Sequence, residues 1–255
     1  MVKLTTTISC LDIGNTTSRM GLYINGKLAK EKSISTKVIT NSTSRFSEFS
    51  SFVNNEISYC SVVPEAEKSL LRYSNLNNIK LYNLNFKSRG QFPINYPKLE
   101  QIGQDRIANS LAAYHSVKLP CVVIDIGTAT TFDVISSVGG YEGGLITPGP
   151  QGYLDFLAEN TALLPKVDIN DEEPKSIIAT NTKDAMRMGT KIGYPSMVQG
   201  IIKVLTKEIK ERFGQEPTII KTGGACKNFE FKKSIYLPDL TIYGLALAFQ
   251  LNKTD

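Results

Sequence analysis

A seven-residue segment occurs twice in this chain, in register: Leu11-Asp12-Ile13-Gly14-Asn15-Thr16-Thr17 and Ile124-Asp125-Ile126-Gly127-Thr128-Ala129-Thr130. Each copy closes an apolar run, Ile8-Ser9-Cys10-Leu11 in one case and Cys121-Val122-Val123-Ile124 in the other. Each is followed by a second run, Met20 to Ile24 and Phe132 to Ile135. Apolar runs broken by a glycine and a cluster of hydroxyl residues read as a β-hairpin. Two halves that open on the same hairpin imply a duplicated domain. The division falls at 1–116 and 117–255, with the terminal helix packing back on the first domain.

Between the repeats, Ile57 to Val63 is rich in β-branched and aromatic residues and reads as an inner strand closed by Pro64. A helix over Glu65 to Ser74 and a strand over Ile79 to Leu84 follow, with Ser42 to Glu56 a polar connection. From Asp105, residues Ile107, Ala108, Leu111 and Tyr114 recur at helical spacing until Pro120 ends the helix. In the second half, Gly139 to Gly144 and Thr147-Pro148-Gly149 read as turns around a short strand. Asn170 to Lys175 is a charged loop. Ile201, Ile202, Leu205, Ile209 and Phe213 mark the apolar face of a long helix, and Ile219-Ile220 leads into Thr222-Gly223-Gly224. Tyr243 to Leu251 is apolar nearly all round and reads as a buried terminal helix.

A carboxylate beside a glycine turn at a strand end meets a phosphate through a metal ion or water. Neighbouring backbone N–H groups and hydroxyls bind the phosphate directly. Asp12 with Gly14 to Thr17 has this layout, as does Asp125 with Gly127, Thr128, Thr130 and Thr131. One copy alone reads better as an ordinary turn, but a turn needs no matching hydroxyl tail, so the pair favours function. Gly103-Gln104-Asp105-Arg106 opens a helix. Asp105 there is either an N-cap or an acceptor that aligns a substrate hydroxyl, its pKa lowered by the helix dipole. Arg106 is either a surface ion-pair partner or a bidentate ligand for a carboxylate.

Much is excluded. The only histidine, His115, lies within a helix, which leaves Ser-His-Asp and Cys-His chemistry without support, and no P-loop, dinucleotide fingerprint or protein-kinase motif occurs. Cysteines 10, 60, 121 and 226 form no C-x-x-C pair and read as reduced, buried thiols of a cytoplasmic protein. No apolar stretch reaches the length of a membrane span, and the lysines behind the net charge of +5 are dispersed rather than gathered in a basic tract. Neither membrane nor nucleic acid is expected as a partner.

Duplicated Asp-x-Gly hairpins with a late Thr-Gly-Gly resemble the sugar-kinase, Hsp70 and actin superfamily. That implies an α/β fold of two ribonuclease H-like (actin-like ATPase) domains, each a mixed sheet flanked by helices. More narrowly, the chain resembles type III pantothenate kinase. The resemblance rests on Asp12 to Thr16, Gly103 to Arg106, Asp125 to Ala129, Gly143 to Gly149, Asn160 to Pro165, Thr182 to Ala185 with Gly189, Gly193-Tyr194 and Thr222 to Gly224. It implies ATP-dependent phosphorylation of pantothenate to 4'-phosphopantothenate, at the start of coenzyme A synthesis. By the same resemblance, Asp12, Ile13, Gly14, Asn15, Thr16, Thr17, Ser18, Arg19 and Thr128 bind ATP, and Asp105 is the catalytic base. Tyr96, Gly103, Gln104, Asp105, Arg106 and Thr182 bind pantothenate. Asp125 binds a monovalent cation, K+ or NH4+, Mg2+ accompanies ATP, and a homodimer supplies Thr182 from the partner subunit. Gln104 stands where the family has a small residue, Pro97 follows Tyr96 directly, and Arg19 falls at a variable position. Rival readings are a kinase of the same superfamily acting on another hydroxylated metabolite and a non-catalytic accessory factor in transcription.

Overall fold

The computed structural model describes residues 7–53, 55–172, 174 and 176–253. In chain order the strands and α-helices begin with β1 Ile8–Ile13, β2 Thr17–Ile24, β3 Lys27–Ser35, α1 Thr36–Asn41, β4 Glu56–Ser61, α2 Pro64–Leu76, β5 Lys80–Asn83 and α3 Gln104–Ser116. They continue with β6 Cys121–Ile126, β7 Ala129–Ser136, β8 Gly140–Pro148, α4 Pro150–Asn160, α5 Thr182–Phe213, β9 Thr218–Thr222, β10 Ser234–Tyr236 and α6 Leu240–Lys253. The chain forms two compact units. The first comprises Met1–Lys118, Ile135–Gly143 and Asp239–Asp255, and the second Leu119–Val134 and Gly144–Pro238. No helix among the described residues is long and apolar enough to cross a membrane.

The duplication extends to topology. One sheet runs β3-β2-β1-β4-β5 and the other β8-β7-β6-β9-β10, the same order with each strand replaced by its counterpart. In the first sheet, β1 is antiparallel to β2 and parallel to β4, so the sheet is mixed. The buried positions of β1 and β6 coincide residue for residue, leaving only Asp12 and Asp125 partly exposed. Apart from Ser9, whose buried hydroxyl donates to Phe52 O at 2.6 Å, both strands are otherwise apolar because both their faces are covered.

In the first unit, one face of the sheet packs on Ile39, Phe46, Phe49, Phe52, Ala66 and Leu70. Burying each such phenylalanine contributes about 2–3 kcal/mol. These phenylalanines lie in a 3-10 helix over Thr43–Phe52, where the sequence predicts a polar connection. They recur every third residue, the 3-10 period, so a single side of this short helix reaches the core. On the other face α6 lies against the sheet and against α3. Ser58 Oγ donates to Leu245 O at 2.9 Å, and a Cβ on Gly244 would meet Ala108 O at 2.0 Å. Pro64 begins α2 rather than merely ending β4, with Glu65 and Glu67 in the first turn to match the helix dipole.

In the second unit, Val198, Ile202 and Ile209 of α5 pack on Val122, Ile124, Ile126 and Phe132. This helix begins at Thr182, far upstream of the predicted apolar face, and continues through Pro195. Strand β8 also departs from expectation, since nine residues pair where turns around a short strand are predicted. Gly140, at φ of +63°, stands in the strand because a Cβ there would meet Pro93 O at 2.0 Å.

Candidate active site

The hairpin turn after β1 is braced from one side by Thr36. Its Oγ1 donates to Gly14 O at 2.6 Å, its N–H donates to Thr16 O at 3.0 Å, and its Oγ1 lies 2.9 Å from Ser18 Oγ. Gly14 N–H donates to Thr17 O at 3.1 Å, while Asn15, Thr16 and Thr17 face solvent. The turn therefore presents backbone and hydroxyl groups outward, as a phosphate requires. Ile13 and Ser18 are fully buried and could contribute only through the backbone. The Arg19 guanidinium forms ion pairs with Glu31 and Asp239, tying β2 to β3 and to the start of α6.

Asp12 lies opposite Cys60 in the β1/β4 register, and the Cys60 thiol donates to Asp12 Oδ1 at 3.3 Å. Burial holds the Cys60 thiol well above its ordinary pKa, with the charges of Asp12 and Asp105 adding to the effect. Both carboxylates thus act on one neutral thiol, an arrangement absent from the sequence reading.

Helix α3 begins at Gln104 with Gly103 as N-cap and no side-chain cap. Asp105 is therefore a first-turn residue and not the N-cap. Its Oδ1 accepts from the Arg106 N–H at 2.8 Å. A Cβ on Gly103 would lie 2.5 Å from that oxygen, so this position must be glycine for the carboxylate to stand where it does. The expected lowering of the Asp105 pKa is reversed. Burial raises it, and the hydrogen bond from Arg106 and its charge offset only part of that rise. The Gln104 side chain is engaged within the protein. Its Oε1 accepts from Ser61 N–H at 2.8 Å and from Asn83 Nδ2 at 3.1 Å, stapling the start of α3 to the ends of β4 and β5.

Tyr96 and Arg106 meet through a third residue. The Arg106 guanidinium carbon lies 5.7 Å from the centre of the buried Tyr141 ring, and Tyr96 packs edge-on to the same ring at 5.9 Å.

In the second unit, Gly127 N–H donates to Ala129 O at 2.9 Å, and Gly149 closes on this turn through its N–H to Thr128 O at 2.9 Å. A Cβ on Gly149 would fall 2.0 Å from Gly127 O. Gly223, with φ of +96°, leaves no room for a Cβ, which would stand 2.3 Å from Asp125 Oδ1. Thr128 is exposed. Thr182 is exposed at the first position of α5, whose N-cap Asn181 accepts from Asp184 N–H at 3.0 Å.

The sequence profile of the type III pantothenate kinase family matches residues 8–204. A type III pantothenate kinase from Sulfurihydrogenibium sp. is 35% identical over 255 residues, covering 93% of this chain and 98% of its own. The chain belongs to the type III pantothenate kinase family. Members of this family phosphorylate pantothenate in coenzyme A biosynthesis, and the chain is an enzyme of that kind. Among solved structures, a conserved Campylobacter jejuni protein assigned to the Baf family of transcriptional activators aligns with a TM-score of 0.62 and 22% identity, over 97% of this chain and 100% of that one. The activator of 2-hydroxyisocaproyl-CoA dehydratase from Clostridium difficile, with bound ADPNP, aligns at 0.50 and 16% identity over 98% and 97%. At such identities the likeness shows the fold alone, and the fold is that of the actin-like ATPases. A kinase of this family acts on ATP together with a divalent ion such as Mg2+. Among the described residues no group of three or more His, Cys, Asp or Glu is placed to hold a metal.

Proposed function

We propose that this pantothenate kinase transfers the γ-phosphoryl group of ATP directly to the primary hydroxyl of pantothenate, with Asp105 as the group that orients the nucleophile. The observation that carries this reading is the Asp105 carboxylate. It is largely buried, fixed by the Arg106 N–H, and given its room by a glycine. As the new P–O bond forms, the bond from Pγ to the bridging oxygen of ADP breaks, and the hydroxyl proton passes to Asp105. A loose phosphoryl transfer asks mainly for alignment, which a held carboxylate supplies.

In this reading, the turn over residues 12–17 and Thr128 receive the ATP phosphates, and Arg106 with Tyr96 receives the pantothenate carboxylate end. Gln104, Ser18 and Arg19 serve by shaping the site, since each side chain is engaged elsewhere in the protein. Asp125, with backbone carbonyls at the same strand end, offers the hard oxygen donors a monovalent cation takes. We assign the chain to a homodimer in which Thr182 serves the partner's site. Leu163 and Ile178 are 92% and 83% exposed in the second unit, with Phe156 and Ile177 also open, apolar surface that a subunit contact would cover. Four free, buried cysteines accord with a cytoplasmic setting.

The purified protein with pantothenate, Mg-ATP and K+ should form 4'-phosphopantothenate and ADP in equal amounts. Correctly folded protein that forms none would overturn the assignment. Replacement of K+ by Na+ should slow turnover, and an unchanged rate would remove the cation from Asp125.

A further inference from the structure

The segment before α3 owes its course to the hairpin between β7 and β8. Tyr141 N–H donates to Pro93 O at 3.1 Å, and Asn95 N–H donates to Tyr141 O at 2.8 Å. Glu142 accepts from Asn95 Nδ2 at 2.9 Å and from Ser136 Oγ at 2.5 Å. Gly140, with φ of +63°, is needed because a Cβ there would stand 2.0 Å from Pro93 O. Gly143, at φ of +109°, lies flat against Tyr96, whose ring carbons come within 3.7 Å of where a Cβ would be. Among these groups Tyr141 is 1% exposed, with Arg106 over its ring and Tyr96 in a T-shaped contact with it.

We infer that Tyr141 is a positioning residue for pantothenate: its ring face holds the Arg106 guanidinium flat, and its edge contact sets the Tyr96 ring. The inference rests on the reading of Arg106 and Tyr96 as pantothenate ligands. A guanidinium is attracted to an aromatic face through its own flat face, so its in-plane N–H donors stay directed outward. Those donors form the fork that pairs with a carboxylate in bidentate fashion. Without the ring, Arg106 samples rotamers that misdirect the fork, and the substrate must restore the order on binding. The cost falls on pantothenate rather than on ATP.

The ring can be altered electronically while its shape is kept. Tyr141→Phe is the reference, and phenylalanines of increasing fluorine content placed at 141 weaken the negative face stepwise with little change in packing. KM for pantothenate should rise across that series, by about tenfold in total, while KM for ATP stays constant, as expected for a face interaction of the usual size. Tyr141→Leu should raise the same KM at least as far, provided circular dichroism shows it folded. A flat fluorination series would overturn the inference, as would a rise shared equally by both substrates. Arg106→Ala separates the two levels. If it raises KM for pantothenate while the series is flat, Tyr141 is only core packing. If Arg106→Ala leaves that KM unchanged, the assignment of Arg106 itself falls, and this inference with it.

Discussion

Asp105 links burial to chemistry. Its carboxyl is raised above the ordinary aspartate pKa, chiefly by burial. The ionised form accepts the substrate hydroxyl, so activity should fall as pH drops through that raised value, and the acid limb of kcat/KM should lie above the range of an exposed aspartate. Stability runs the opposite way. Where the folded pKa exceeds the unfolded one, the native state binds more protons, so stability is lost as pH rises from the unfolded value through the folded one. Asp105→Asn should therefore melt higher at neutral pH while kcat drops on the order of 10²–10⁴-fold with ATP binding retained. Calorimetry and steady-state kinetics on one preparation test both. The cysteines give a second residue-scale expectation. Burial pushes the thiol of Cys121 up to about 12 and that of Cys226 up to about 11, and raises Cys10 and Cys60 as well. Native protein at pH 8 should resist iodoacetamide and label only after denaturation, as counted by mass spectrometry. Rapid native labelling at Cys60 would show that the thiol beside Asp12 is open.

At the scale of elements, the glycines that admit close neighbours are the sensitive points. Gly149→Ala would set a Cβ against Gly127 O and should displace the turn carrying Thr128, raising KM for ATP with little effect on that for pantothenate. Gly244→Ala should separate α6 from α3 and cost about 1–3 kcal/mol, read as a lower denaturation midpoint. Several elements were legible beforehand: β1, β4, the start of α3 and the terminal helix all carry apolar runs of the right period. Others carried a signal of another kind. Strand β3 follows Asn25-Gly26, both at positive φ as a two-residue hairpin turn needs, and the dipeptide marks the hairpin although the strand itself is mostly exposed. The 3-10 helix over Thr43–Phe52 announces itself only by phenylalanines every third residue, a period that helix and strand patterns both miss.

For the whole molecule, dimerisation is the property with the sharpest test. Protomers carrying Asp105→Asn and protomers carrying Thr182→Arg should each be inactive at limiting pantothenate. Randomly mixed, they should recover roughly a quarter of wild-type activity, because half the dimers are hybrids and each hybrid holds one intact site. No recovery on mixing would place Thr182 in its own protomer's site. Leu163→Asp with Ile178→Asp should shift the protein to monomers in sedimentation and remove activity together, since a lone protomer would lack Thr182.

The sequence by itself determined the duplicated hairpin, which resides in short contiguous runs whose period and turn residues act locally. The mixed sheets and the class of chemistry followed from the resemblance that these runs carry. The sequence also marked Asp12, Asp105 and Asp125, because a carboxylate beside glycine at a strand end or helix start is a local pattern. Only the tertiary structure decided that the Cys60 thiol stands against Asp12, that Gln104 and Arg19 are spent on internal bonds, and that Thr36 braces the first turn. It likewise decided that Tyr141 gathers Arg106 and Tyr96, from positions 35 and 45 residues away. The reversal of the Asp105 pKa has the same origin. A helix start can be read from neighbours in the chain, whereas desolvation depends on everything that packs around the group, including residues distant in sequence.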